Sequence, residues 1–250
     1  MTEEIIMTQE EGVLRLRIAR ETKKNALTQE MYLTLAEAME GVPDMPEIGA
    51  VLFEGSDEIF TAGNDLSAFV TAPPADGSKP PVWRLLEATA RCPVPVIAAV
   101  AGPAIGIGTT LLLHCDLIVA APEAYFHTPF VDLAAVPEGG ASYLMPKRLG
   151  RQLASEFLLL SRPVPAQRAY EMGFVNAVVT EGPVRDYGFD LAKDLAAKPR
   201  EAMRQSKALM CHETDDMLAH METEFREFAK RLSSDEMKSV IMAMMQRKKG

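Results

Sequence analysis

The chain predicts an α/β fold built around a parallel sheet, and three observations carry that expectation. Three apolar runs, AVLFEG at 50–55, PVIAAVAG at 95–102 and LIVAA at 117–121, have the length and composition of buried strands. Helical patterns fall between or before them, so strands and helices alternate as parallel α/β folds require. At 250 residues, 48 % of them hydrophobic, the chain buries a substantial core as one large domain or a domain with an appendage.

The elements follow in order. Leu14, Leu16 and Ile18 alternate with Arg15 and Arg17, a period of two that marks a half-buried strand. A helix comes next, with Thr28 as its N-cap, Glu30 in its first turn, Met31, Leu35 and Met39 on one face and Gly41 at the C′ position. After the strand at 50–55, TAPPADGSKPPV at 71–82 holds five prolines and glycines in twelve residues, which predicts a mobile loop suited to a lid or a plain connector. A short helical stretch from Gly108 to Leu113 separates the last two strands. Beyond Pro199 the chain turns helical and charged, and holds eight of the fifteen methionines. Methionines of that density fill irregular core gaps, with a subunit interface or the wall of an acyl pocket as the alternative.

Composition excludes several classes. A net charge of −9 leaves no basic footprint for nucleic acid or an anionic membrane, so an anionic ligand needs a local patch. Cys92, Cys115 and Cys211 are an odd number with no CxxC pair, which argues against a disulfide framework and a thiolate metal site. The acidic MTEEIIMTQEEG start lacks a signal-peptide pattern, no apolar run is long enough to span a bilayer, and RKKG at the other end is no SKL-type address. These readings predict a soluble, cytoplasmic protein.

Two segments carry the chemistry. FTAGNDL at 60–66 and AGPAIGIGTTLLLHCD at 101–116 each place small residues where a strand gives way to a turn or helix. Such places leave amide N–H groups without an intrachain acceptor. Two of them aimed at one oxygen stabilise an enolate or a tetrahedral oxyanion. GIGTTL at 106–111 is no dinucleotide fingerprint, because Leu111 stands where its third glycine belongs. The four histidines form no HExxH and no cluster with cysteine, so no metal site is expected and His114 and His127 read as packed, hydrogen-bonded side chains. No GxSxG elbow is present. Glu138, between the apolar VDLAAVP and Gly139–Gly140, is a carboxylate set in an apolar place, where burial raises its pKa into the range of a general base. A solvent-facing PEGG turn is the competing reading of the same residues.

The strings KKNALTQEM at 23–31, FTAGNDL, GPAIGIGTTLLLHCD, FHTPFVDLAAVPEGGASYLMP at 126–146 and AYEMGFVNAVV at 169–179, in this order over most of the chain, resemble the enoyl-CoA hydratase/isomerase, or crotonase, superfamily. The resemblance implies a ClpP-like spiral of repeated ββα units over 1–198, binding acyl-CoA, with a helical region at 199–250 that assembles a homotrimer or a dimer of trimers. It implies no cofactor beyond the coenzyme A carried by the substrate, and no metal.

Carried over by position, the resemblance makes the N–H groups of Asn64 and Ile107 the oxyanion-hole donors. It sets Lys24, Ala26, Leu27, Ala62, Gly63, Asp65, Leu66, Thr110 and Phe130 along the substrate, with Lys24 placed for a phosphate. Ile107 replaces the middle glycine of the family's glycine run, which costs nothing because any residue but proline supplies an N–H. Family hydratases hold a water between two glutamates. Those positions are Thr110 and Phe130 here, and neither replaces a carboxylate as a base. Glu138 instead resembles the single glutamate of peroxisomal-type Δ3,Δ2-enoyl-CoA isomerases. The expected activity is that isomerisation, in fatty-acid β-oxidation. A hydratase, another acyl-CoA reaction such as hydrolysis or decarboxylation, and a silent acyl-CoA-binding protein are the alternatives.

Overall fold

The computed structural model describes residues 2–65 and 79–247. In chain order the elements are β1 (Ile5–Glu10), β2 (Val13–Ile18), α1 (Gln29–Gly41), β3 (Ala50–Glu54), α2 (Pro81–Ala90), β4 (Val96–Val100), β5 (Pro103–Ile105), α3 (Ile107–Thr110), β6 (Leu117–Ala120) and β7 (Tyr125–His127). There follow α4 (Ala141–Leu149), α5 (Arg151–Leu158), β8 (Val164–Pro165), α6 (Ala166–Glu171), β9 (Ala177–Val178), α7 (Val184–Ala196), α8 (Arg200–Met210), α9 (Thr214–Leu232) and α10 (Asp235–Arg247).

Among the described residues, six strands form one sheet in the order β1-β2-β3-β4-β6-β9, and β5-β7-β8 form a second. In the larger sheet only β1 and β2 pair antiparallel; the pairs from β2 through β9 are parallel. The central strands read as unbroken apolar runs because both their faces are covered. Val51 and Phe53 join the main hydrophobic core, whereas Ala50 and Leu52 join a second core under α7. The approach of α7 is close: a Cβ on its Gly188 would sit 2.8 Å from the Ala99 methyl.

The α1 expectation holds at its start, where the Met31 N–H donates to Thr28 Oγ1 at 3.2 Å. It fails at its end. Gly41 is the last helical residue with φ −76°, not a left-handed C′ residue, because the chain runs on into a 3-10 turn over Val42–Asp44. The half-buried strand at 14–18 is β2, but Arg15 does not face open water. It makes a bidentate pair with Glu54 at 2.8 and 2.9 Å and lies over the Phe189 ring. The helical stretch after Gly106 is α3 followed by a 3-10 turn over Leu111–His114. Of the loop expected at 71–82, residues 71–78 lie outside the described residues, and Pro81 and Val82 open α2 with Pro80 as its N-cap.

The C-terminal helices pack into the same main core. Met217, Met221 and Met237 are buried in it, while Met210 and Met242 are exposed. Lys207 of α8 fastens this region to the sheet: its buried Nζ donates to Asp116 Oδ2 at 2.6 Å and to the Val94 carbonyl at 2.8 Å. No helix among the described residues is long and apolar enough to cross a membrane.

Candidate active site

The two donor segments meet as neighbouring strands would. Thr61 N donates to the Pro103 carbonyl and Ile105 N to the Thr61 carbonyl, both at 3.0 Å. Gly63, at φ +88°, lets them close up, since a Cβ there would fall 2.6 Å from the Ile105 oxygen. On its other side the first segment is held by Leu27, which donates to the Gly63 carbonyl at 2.8 Å and accepts from Asp65 N at 2.9 Å. In such a parallel bridge, Leu27 uses the groups of 63 and 65, so the N–H of Asn64 points away from it. Ile107 is the first residue of α3, where a helical N–H has no intrahelical acceptor. Among the described residues, neither the Asn64 nor the Ile107 N–H is hydrogen-bonded.

Glu138 stands beside these donors' helix. It enters on a turn whose next two residues, Gly139 and Gly140, both have positive φ, +68° and +76°. The side of the turn toward α3 is tight: a Cβ on Gly139 would come within 3.0 Å of Thr110 Oγ1. The Thr110 hydroxyl donates to Glu138 Oε1 at 2.6 Å. Apolar side chains, Val82, Trp83 and Leu86 of α2 and Met221 and Phe225 of α9, line a small cavity that Glu138 shares. Trp83 and Phe225 meet edge to face. A wider cleft around Arg91, Cys92, Arg204 and Cys211 contains none of these residues.

The electrostatics follow from this packing. Burial lifts the Glu138 carboxyl to about 7, with the Glu224 charge adding to the rise and the Thr110 hydrogen bond opposing it. The residue keeps some exposure through the cavity, so the carboxylate is desolvated and still reachable. His114 supports the turn from below. Its Nε2–H donates to the Gly139 carbonyl at 2.8 Å, and burial lowers the ring to about 4, so it is neutral at physiological pH. His127 bonds the Ser161 carbonyl at 2.8 Å. Both histidines are packed and hydrogen-bonded as the sequence suggests, and no group of three or more metal-ligating side chains exists among the described residues.

The remaining expected residues fall into distinct places. Lys24 is exposed, in the left-handed region at φ +53°, and its carbonyl accepts from Ala62 N at 3.0 Å. Ala26 is half-buried beside it. Leu27 is buried, so its contribution to the site runs through its backbone. Asp65 is engaged by Arg20 at 2.6 Å. Phe130 is buried in the main core, and Leu66 lies outside the described residues.

Two residues went unnoticed in the sequence. Tyr32 of α1 is fully buried, and its hydroxyl donates to Asn64 Oδ1 at 2.5 Å, fixing the donor residue from behind. Burial and the Glu138 charge hold its phenol well above its usual pKa, so it stays protonated. Glu224 reaches the Glu138–Gly140 turn from α9, where its carboxylate accepts from Gly140 N and Ser142 N.

The enoyl-CoA hydratase/isomerase family profile matches residues 8–250. The chain belongs to that family. It is 32 % identical over 250 residues to enoyl-CoA delta isomerase 2 of Rattus norvegicus, covering 98 % of this chain but 64 % of that protein, so it spans somewhat under two thirds of that relative's length. It is also 30 % identical over 207 residues to 2,3-dehydroadipyl-CoA hydratase of Escherichia coli, covering 82 % of this chain and 80 % of the relative. The crystal structure of an enoyl-CoA hydratase/isomerase from Pseudoalteromonas atlantica superposes with a TM-score of 0.93 at 34 % identity, covering 98 % of each chain. The fold of this chain is therefore the crotonase fold, of ββα units with C-terminal helices. Family membership alone spans isomerases and hydratases.

Proposed function

We propose that the protein is a Δ3,Δ2-enoyl-CoA isomerase. One observation carries the reading: the desolvated carboxylate of Glu138 is hydrogen-bonded by Thr110, the residue that stands where family hydratases place a second acid. Among the described residues the Asn64 and Ile107 N–H groups have no acceptor, and with the Glu138 carboxyl raised to about 7 the site offers a base and an oxyanion hole. At the two positions where family hydratases carry their paired acids, this chain has Thr110 and Phe130, and neither supplies a carboxylate.

In the proposed reaction the thioester oxygen of a 3-enoyl-CoA accepts from Asn64 N–H and Ile107 N–H. The Glu138 carboxylate takes a proton from C2. The electron pair of that C–H bond forms the C1–C2 double bond of a dienolate, whose negative charge rests on the held oxygen. On collapse, C2–C3 becomes the double bond, and C4 takes the proton back from the Glu138 carboxyl to give the trans-2-enoyl-CoA. Protons and electrons balance within the substrate, and no metal or redox cofactor takes part. The apolar wall of Trp83, Leu86, Met221 and Phe225 suits an acyl chain and keeps water from the dienolate. Lys24, exposed at the edge of the first donor segment, is placed for a phosphate of coenzyme A. Assembly as a homotrimer and a cytoplasmic setting belong to the same proposal.

The test supplies purified protein with 3-enoyl-CoA and, separately, with 2-enoyl-CoA. Conjugation of the double bond with the thioester is expected from the first, and negligible water addition from the second. Formation of 3-hydroxyacyl-CoA as fast as the double bond migrates would replace the isomerase by a hydratase with a relocated base.

Thr110 gives a prediction with a definite sign. Its hydrogen bond lowers the Glu138 pKa, so Thr110→Val should raise it. The base is active only when ionised, and the acid limb of the kcat/KM profile should therefore move to higher pH. A pH–rate profile that stays in place or moves down would contradict the contact's role.

A further inference from the structure

We infer that Glu224, on α9, is a positioning residue for the base: its carboxylate grips the backbone of the Glu138–Gly139–Gly140 turn and sets where, and in what field, Glu138 sits. Gly140 N donates to Glu224 Oε2 at 2.6 Å, Ser142 N to Oε1 at 2.8 Å, and the Ser142 hydroxyl to Oε1 at 2.5 Å. Gly140 is the N-cap of α4 and Ser142 its second residue, so neither N–H has an acceptor within the helix, and the helix N-terminus favours a negative charge. Glu224 is 6 % exposed, so the bonds are shielded from water. Met217, two turns earlier on the same face of α9, packs against the turn as well, its Sδ 3.0 Å from where a Cβ of Gly140 would stand.

The consequence for Glu138 is electrostatic as well as geometric. Two carboxylates face each other across a two-glycine turn, and the second raises the pKa of the first. The groups around the pair are few. Glu138 faces Thr110 of α3, Tyr32 of α1 and Glu224 of α9, while α2 presents the apolar Val82, Trp83 and Leu86. Glu224 faces Gly140 and Ser142 of α4 and, on its own helix, His220, whose Nε2 lies 2.9 Å from Ser142 Oγ and 3.8 Å from Glu224 Oε1. The helical C-terminal region thus bears on the chemistry of the core. The inference deepens the isomerase reading and rests on Glu138 being its base.

Glu224→Gln keeps one acceptor oxygen, for either Gly140 or Ser142, turns the other oxygen into a donor and removes the charge. The Glu138 carboxyl is titrated by carbon-13 NMR in wild type and variant without substrate, with the His220 ring followed in the same samples so that its titration is assigned separately. Isomerisation of 3-enoyl-CoA is measured in parallel. The Glu138 midpoint is expected to fall in the variant, with kcat about tenfold lower, in line with the sensitivity of reacting geometry to small displacements. A purely structural Glu224 would lower the melting temperature and leave the midpoint alone. An unchanged Glu138 midpoint in folded Glu224→Gln overturns the inference, even if the wild type isomerises. A shifted midpoint in a protein that does not isomerise keeps the coupling and removes the functional reading instead. If Glu224→Gln does not fold, Ser142→Ala carries the test. It deletes a hydroxyl that offsets the Glu224 charge, so the Glu138 midpoint should rise, and an unmoved midpoint overturns the inference.

Discussion

Glu138→Gln is expected to lower isomerisation of 3-enoyl-CoA by roughly 10²–10⁴-fold, the range set by removing a positioned general base, with acyl-CoA binding near wild type. The amide fits the same space and still accepts from Thr110, but it cannot take a proton. Loss through unfolding is not the expected route. The folded-state pKa of Glu138 is raised to about 7 from 4.5. Its stabilising contribution is therefore complete below the unfolded pKa and disappears as pH rises through the folded one. Above pH 7 wild type holds a desolvated charge that the glutamine variant lacks, so the variant should be at least as stable there by thermal melting. Near wild-type turnover in Glu138→Gln would remove Glu138 from the mechanism.

Ile107 gives the second large effect. Ile107→Pro is expected to abolish activity and Ile107→Gly to keep most of it, because the proposed contribution is a backbone donor at the first position of α3. Loss of one oxyanion-hole donor typically costs about 2.7–4 kcal/mol of transition-state stabilisation. Proline is tolerated at a first helical position, so the fold of α3 is expected to survive. Circular dichroism on both variants checks this. Equal activity in the two folded variants would refute the assignment of this N–H.

The parts of the fold legible in the sequence are those where burial is complete. β3, β4 and β6 read as strands because α7 covers one face and the main core the other, so every residue but Glu54, which Arg15 pairs, is apolar. β1 is invisible to the same reading. Five of its six residues are exposed, and what makes it a strand is the tight turn at Glu11–Gly12, both at positive φ, that folds it antiparallel onto β2. β5, β7 and β8 are two or three residues long, too short for any period to show. α2 begins inside a proline-rich stretch because proline suits the first turn of a helix as well as it suits a loop.

The site divides along a similar line. The donor segments are local features, legible as small residues after strands, and the family resemblance supplied their pairing. Glu138 stood out as a carboxylate between an apolar run and two glycines. Tyr32 did not, because its bond to Asn64 joins residues distant in sequence and only the packing of α1 brings them together. Glu224 left a trace that could have been followed: Met217, Met221 and Glu224 repeat at i, i+4 and i+7 on α9, so an acid sits in an apolar stripe. A buried carboxylate in such a stripe requires donors from another element, and the α4 N-terminus provides them.

The central claim is that one carboxyl carries the proton from C2 to C4, and isotopic transfer tests it most directly. A 3-enoyl-CoA bearing two deuterium atoms at C2 is converted in ordinary water, and the trans-2-enoyl-CoA from the earliest turnovers is analysed by mass spectrometry and NMR. Transfer by Glu138 predicts a fraction of product that keeps one deuterium at C2 and carries the other at C4. Product with no deuterium at C4 from the first turnover onward would mean that a second group, or water, protonates C4, and would contradict the account.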